Sequence, residues 1–333
     1  MEMTTYPTAS EETGIPVETG ALKALQFYAD NYAQLMFKTL GSESENIVLR
    51  EEPFECRFCG GKPPTRTFRN RAHAVSALLG NRVVKSRYEC DDCGKRFCAF
   101  EDDLGKMTMP FRSIAGVSGN RGVPTLLLQG GNARMEFKDE GLHVSHDLGD
   151  NSLQGDELTK TISASYIQQG YRPLGAYKAL CKSAFTLLPQ NELVHFPELR
   201  QWLLHDDVTT YQVYPHGGHI CCYSFVPGFR PFPQTIVGLF RRKEKTETPY
   251  MSFFVAFGNV SYQLFLPCPA KDAHLRGKNK IILPYPHAYQ LQPWRANGPI
   301  TCVQIDLSAS ERTESQSGTM SARYDRREKI EQN

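Results

Sequence analysis

The stretch CRFCGGKPPTRTFRNRAHAVSALLGNRVVKSRYECDDC, residues 56–93, decides how this chain reads. It opens and closes on a Cys-x-x-Cys pair, Cys56/Cys59 and Cys90/Cys93. Each pair bends into a knuckle that presents two thiolates to one ion. Two knuckles complete the four-thiolate tetrahedron that structural zinc takes. The competing reading is four buried reduced thiols, which are common in cores. It does not explain why both pairs sit beside glycines (Gly60 and Gly61, then Gly94) in a charged stretch. A redox dithiol is weaker still, because matched pairs favour a closed site over a reactive one. The chain between the knuckles, residues 60–89, is longer than a minimal zinc ribbon needs, so it is expected to carry structure of its own. A lone histidine, His73, lies within it.

The rest of the composition sets the frame. The 333 residues are enough for two domains and a sizeable core. Hydrophobic residues make up 40% and charged residues 22%, as in ordinary globular proteins. No apolar run has the length of a membrane span. Met1–Glu12 shows no basic and apolar leader, so the ten cysteines are read as metal ligands and reduced thiols of a cytoplasmic protein, not as disulfides. Net charge is only +2, yet residues 56–122 hold 13 Lys/Arg against 6 Asp/Glu, a local net of +7. A basic excess over a zinc module points to a phosphate-backbone partner, with a merely solvated face as the alternative.

Outward from the knuckles, residues 1–20 read as a flexible arm. Residues 21–40 carry apolar groups at helical spacing and are expected to form one amphipathic helix, with Ile47–Arg50 as a lead-in strand. Thr65–Arg71 alternates like a strand and delivers His73. A short helix over Val75–Leu79, a strand at Val83 and Val84, and a helix from the second knuckle through Phe97, Phe100 and Leu104 follow. Strands are expected at Thr125–Gln129, Ala133–Phe137, Leu142–His146 and Thr159–Ile167, with Asp150–Asp156 as a surface loop. Helices are expected at Leu174–Leu188 and Phe196–Leu204. From Val208 the chain turns to β: Thr209–Tyr214, Ile220–Phe225, Gln234–Phe240, Met251–Phe257 and Ser261–Leu266. His216 and His219 beside Cys221 and Cys222 are more simply turn residues than a second metal nest. Arg241–Lys243 and the pair Lys278 and Lys280 read as basic loops, and the polar tail from Ser308 as disordered.

Four segments, CRFCG, AHAVSALLGN, ECDDCGKRFCAFEDDL and PFRSIAGVSGNRGVP, together resemble the HNH endonucleases, in the subgroup whose finger is framed by two Cys-x-x-Cys pairs. The likeness covers Cys56–Pro124, and continues more weakly through GYRPLGAYKALCKSAFTLLP. It implies a ββα-metal fold in which a hairpin and helix grip a catalytic divalent ion such as Mg²⁺, while zinc holds the finger through Cys56, Cys59, Cys90 and Cys93. His73 matches the family's general base, which takes a proton from the water that attacks a phosphodiester. The divalent ion would stabilise the phosphate and the leaving 3′ oxygen. Asn81 stands for the middle Asn that orients the base. The chain departs from the family after the second knuckle, where Gly94 replaces the usual His or Asn ligand of the catalytic ion. Glu101, Asp102 and Asp103 are the nearby oxygen donors that could replace it. Arg66, Arg69, Arg71, Arg112 and Arg121 are the candidate phosphate contacts.

The expected architecture is therefore α+β. A zinc-stabilised ββα module over residues 51–124 follows the N-terminal helix and strand of 21–50. An α+β domain with an antiparallel sheet spans 125–307, before the tail 308–333. The resemblance implies metal-dependent cleavage of DNA and a role in defence against foreign DNA. Two other classes stay open: a catalytically degenerate zinc module that binds nucleic acid, with Gly94 marking the lost ligand, and a zinc-stabilised interaction scaffold.

Overall fold

A computed structural model describes residues 20–41, 46–50, 54–130, 133–147, 153–205, 219–244, 246–275, 283–286 and 297–327. The arm 1–19, the strand expected at Thr209–Tyr214, His216, and Lys278 with Lys280 lie outside the described residues. The chain begins with α1 (Ala21–Asn31), β1 (Tyr32–Thr39), β2 (Ile47–Leu49), β3 (Ala72–His73), β4 (Val84–Ser86) and the long α2 (Asp91–Ile114). Then come β5 (Leu126–Leu127), β6 (Arg134–Lys138), β7 (Gly141–Ser145), β8 (Leu153–Asp156), β9 (Thr161–Gln168), α3 (Pro173–Leu187) and α4 (Pro197–Leu204). The last part holds β10 (Ile220–Phe225), β11 (Phe232–Arg242), β12 (Met251–Gly258), β13 (Val260–Phe265), α5 (Pro269–Asp272), β14 (Thr301–Asp306) and β15 (Gln316–Arg323). The fold is α+β, with antiparallel pairing in the largest sheet, whose order is β1-β11-β12-β13-β10-β14. Three small sheets, β15-β9-β8, β2-β4-β3 and β5-β6-β7, surround it. Among the described residues no helix is long and apolar enough to cross a membrane.

One core joins the cysteine region to the large sheet. Cys56, Phe58 and Phe97 belong to the same buried cluster as Leu180 and Phe185 of α3 and Phe253 and Val255 of β12. No break in packing falls at residue 124. α3 is buried along its whole length, between α2 and the sheet. Arg57 of the first knuckle reinforces the joint. It stacks on Tyr88 and donates to the carbonyls of Thr186 (3.1 Å) and Leu188 (2.8 Å) at the C-terminal end of α3, where a cation is favoured.

Several elements differ from the sequence expectation. Residues 21–40 are not one helix. The chain leaves the helix at Asn31, and Tyr32–Thr39 pairs antiparallel with β11. The run mixes two aromatic residues with good helix formers and so supports either state locally, and the ladder decides it. Thr65–Arg71 is not a strand. Asp91, in the first turn of α2, accepts the hydroxyl of Thr67 and the backbone N–H groups of Arg69 and Asn70, which takes up donors a ladder would use. Leu153–Asp156 is the edge strand β8, not a loop. The tail is ordered as far as it is described. β15 pairs with β9 along Gln316–Arg323, Met320 is buried, and Thr313 and Tyr171 tie the approach together. Arg241 and Arg242 lie on β11 and pair with Glu192 (2.7 Å) and Asp272 (3.0 Å), so they hold the fold together instead of forming a free basic loop.

Candidate functional site

The first knuckle is a tight turn. The Gly60 N–H donates to Cys56 O at 2.8 Å, and Gly60 has φ +71°, a left-handed conformation that suits glycine. The second knuckle is the start of α2, with Cys90 at its N-cap and Cys93 in its first turn. The Sγ atoms of Cys56 and Cys93 lie 3.7 Å apart, as do those of Cys59 and Cys90. All four lie within 4.8 Å of one another. A tetrahedron with metal–sulfur bonds of about 2.3 Å has edges of about 3.8 Å. The donor set and its dimensions therefore match a single tetrahedral ion. The Cys90 N–H also points at Cys56 Sγ (3.5 Å). The hydrogen bond from the Cys93 thiol holds Cys56 below the ordinary thiol range, against its burial. Among the described residues these cysteines make up the one such metal-ligand group.

The second feature is the group of charged and titratable side chains around His73. β3 and β4 form a short antiparallel hairpin that places His73 opposite Lys85, and α2 follows it. His73 is half-buried. Burial lowers its pKa first, and Lys85, Arg82 and Lys182 lower it further against the pull of Glu101, so the imidazole is neutral at neutral pH. Glu101 lies on α2, one face round from the second knuckle. Its carboxylate accepts from the Ser76 hydroxyl (3.2 Å) and from Lys182 Nζ (3.2 Å). Lys182, from the middle of α3, also pairs with Glu89 at 2.9 Å. Its side chain is 3% exposed and that of Glu89 5%. Burial acts against the charge of Lys182, but the two carboxylates outweigh it and hold the ammonium above its ordinary range. Burial raises the Glu89 carboxyl, and Lys182 opposes the shift.

The other candidates are placed as follows. Asn81 is fully buried and its amide is saturated. Nδ2 donates to Val75 O (2.7 Å) and Val84 O (2.8 Å), and Oδ1 accepts from Val83 and Val84 N–H. It clamps the turn after His73 to β4 and has no amide donor or lone pair left for the imidazole. Asp102 faces outward and pairs with Lys106 at 2.6 Å, away from this group. Asp103 is buried and binds Arg172, caging the N-terminus of α3. Gly94 leaves room for Glu89: a Cβ there would lie 2.9 Å from Glu89 Oε1. Arg112 is buried against its own helix, bonded to Thr108 and Gly105 O, and burial brings it down to about 10, so it does not face a phosphate. Arg66 is exposed and paired with Asp92 at 2.8 Å. Arg69, Arg71 and Arg121 are exposed. His219 stacks on Trp202 and meets Tyr177 edge-on, inside the core.

The donors expected for a divalent ion thus do not fit one. Glu101 is engaged by an ammonium and a hydroxyl, Asn81 is saturated, Asp102 points elsewhere, and the space beside residue 94 holds Glu89. Sequence reading missed Ser76, Glu89 and Lys182. The signal that could have found Lys182 was a pair of lysines, Lys178 and Lys182, inside an otherwise apolar helix, where a buried charge requires a partner. Comparison of the chain with known protein families, with curated proteins and with solved structures finds no match.

Proposed function

We propose that this chain is a zinc-stabilised, HNH-like module that binds the phosphate backbone of nucleic acid, DNA first, at the basic surface around His73, without a metal-dependent hydrolytic step. Zinc would be held by Cys56, Cys59, Cys90 and Cys93 and would serve to fix the second knuckle, and with it α2, against the hairpin. The observation that carries the reading is the set of cations at the half-buried His73. Lys85 stands opposite it, and Arg82 bears on it electrostatically, while Lys182 is spent on Glu89 and Glu101. Arg82 is itself fixed by Ser118 Oγ (2.8 Å) and Gly119 O (2.5 Å), in the loop that exposes Arg121. A guanidinium held in this way loses little freedom on meeting a phosphate oxygen. Exposed Arg69 and Arg71, just before β3, extend the same basic surface.

A second reading, hydrolysis with His73 as general base, is supported by the neutral imidazole and by Glu101 within its electrostatic reach. One experiment separates the two. Binding of labelled single- and double-stranded DNA and RNA is measured by anisotropy from low to physiological salt, beside a plasmid nicking assay with Mg²⁺, Mn²⁺ and Ni²⁺. The proposal expects salt-dependent binding and intact plasmid. Lys85→Ala should lower the salt slope by about one counter-ion and weaken binding to all sequences alike. Cleavage abolished by His73→Ala would establish the hydrolytic reading. Absence of both binding and cleavage would leave the scaffold class.

A further inference from the structure

We infer that Lys182 is a built-in cation: its ammonium fills a site, formed by Glu89 and Glu101, that without it takes a divalent metal ion. The argument starts from where the side chain comes. α3 is buried on all sides, so a lysine at its centre cannot extend its head to water. A buried ammonium is tolerated only where fixed negative charge meets it. Lys182 finds two carboxylates, at 2.9 Å from Glu89 and 3.2 Å from Glu101. Conversely, two carboxylates brought together in a largely dry place cannot both ionise unless a cation or a proton lies between them. The three groups come from separate elements: Glu89 from the turn before the second knuckle, Glu101 from α2 and Lys182 from α3. The site is thus assembled by the fold and is not a run of neighbouring acids.

The dimensions allow an exchange of cations. The two carboxylate oxygens each lie about 3 Å from one point, the ammonium nitrogen, where oxygen–metal distances of about 2.0–2.6 Å are required. Glu101 is 30% exposed and can close the gap, while Glu89 is walled in. The Ser76 hydroxyl, already bonded to Glu101, stands beside the site as a further oxygen. Carboxylate and hydroxyl oxygens suit Mn²⁺, which competes poorly for the four thiolates of the cysteine site.

The test uses the full-length, zinc-loaded protein with no nucleic acid present, so its result is independent of the binding reading. Lys182→Met keeps the length of the side chain and removes the charge. It leaves the buried Glu89 and the partly exposed Glu101 uncompensated, and the melting temperature is expected to fall by about 6–10 °C. Mn²⁺ at about one hundred times its dissociation constant should recover about half of that loss. Titration followed by the Mn²⁺ electron paramagnetic resonance signal should show one ion bound to Lys182→Met and none to the wild type or to Lys182→Arg. Glu89→Gln and Glu101→Gln added to Lys182→Met should restore stability without metal and abolish the uptake. If Lys182→Met is recovered unfolded, it is refolded with and without Mn²⁺; folding only in Mn²⁺ supports the inference, and failure in both overturns it. A folded Lys182→Met protein that takes up no Mn²⁺ overturns it, as does equal uptake by the wild type.

Discussion

Gly94→Ala is the substitution whose sign tests the placement of Glu89. In a helix interior, alanine in place of glycine stabilises by about 1 kcal/mol. Here the new Cβ would lie 2.9 Å from Glu89 Oε1, closer than a carbon tolerates. The carboxylate cannot swing freely, because Glu89 is buried and Lys182 holds it at 2.9 Å. Removing one partner of such a pair costs about 3–5 kcal/mol. A displacement that forfeits part of it outweighs the helical gain, for a net loss of about 1–3 kcal/mol. Urea unfolding of the zinc-loaded protein should show this loss with an unchanged m-value. In a Glu89→Ala background the obstacle is gone, and Gly94→Ala should become stabilising by up to about 1 kcal/mol, so the cycle reverses sign. Gly94→Ala that stabilises the wild type would refute the placement of Glu89. The same geometry implies that Gly94→Asn does not create a metal ligand, since its amide would enter the space Glu89 fills.

Two further outcomes follow from the structure. Cys56→Ser, or stripping of zinc with a chelator, should abolish the cooperative melting transition, because the first knuckle, the N-terminus of α2 and α3 share one core; release of one zinc per chain, read with a metallochromic dye, accompanies it. His219 is buried and held down to about 4, first by burial and then by Lys178, against Asp306. Its folded pKa is below the unfolded value of about 6.5, so it favours folding above that pH. That contribution, about 3 kcal/mol, is lost as pH falls from about 6.5 to 4. Asp272, raised to about 6 by burial, acts in the opposite sense, losing stability as pH rises from about 4 to 6. The His219 effect is therefore measured as the difference between wild type and His219→Phe, which should grow in favour of the variant as pH falls through this window.

The sequence made some levels of this structure legible and hid others for physical reasons. Spacing alone brought Cys56, Cys59, Cys90 and Cys93 together, because a knuckle is a local event and a four-thiolate cluster has few alternatives. The strands β10 to β13 and helices α3 and α4 stood out through aromatic and apolar runs bounded by turn residues. Tyr32–Thr39 did not, since residues with both helical spacing and β propensity are settled by a partner strand more than 190 residues away. β15 was hidden because its ladder draws on backbone groups, with Met320 its one fully apolar anchor. Asn81, Asp103 and Arg112 carry polar groups of the types that functional sites use, and each is spent on holding backbone or a helix end. Ser76, Glu89 and Lys182 come from three places in the chain, and no local pattern announces a meeting of that kind.

Residues 89, 94 and 182 form one mutually conditional arrangement. A Cβ at residue 94 would lie 2.9 Å from Glu89 Oε1 and press the carboxylate out of its position. With Glu89 there, the site contains two carboxylates, and a fixed cation becomes necessary; Lys182 supplies it from inside an apolar helix. Without Glu89, Lys182 would face one half-exposed carboxylate and a buried charge left largely unmatched, so the helix would do better with methionine or leucine at that place. A glycine at 94 therefore need not be read as an isolated loss of a ligand. It is the position that leaves room for the Glu89 carboxylate, which Lys182 meets from α3. The ammonium offsets one of the two carboxylate charges without depending on the concentration of a divalent ion, and leaves Lys85 and Arg82 as the cations that a phosphate near His73 would meet.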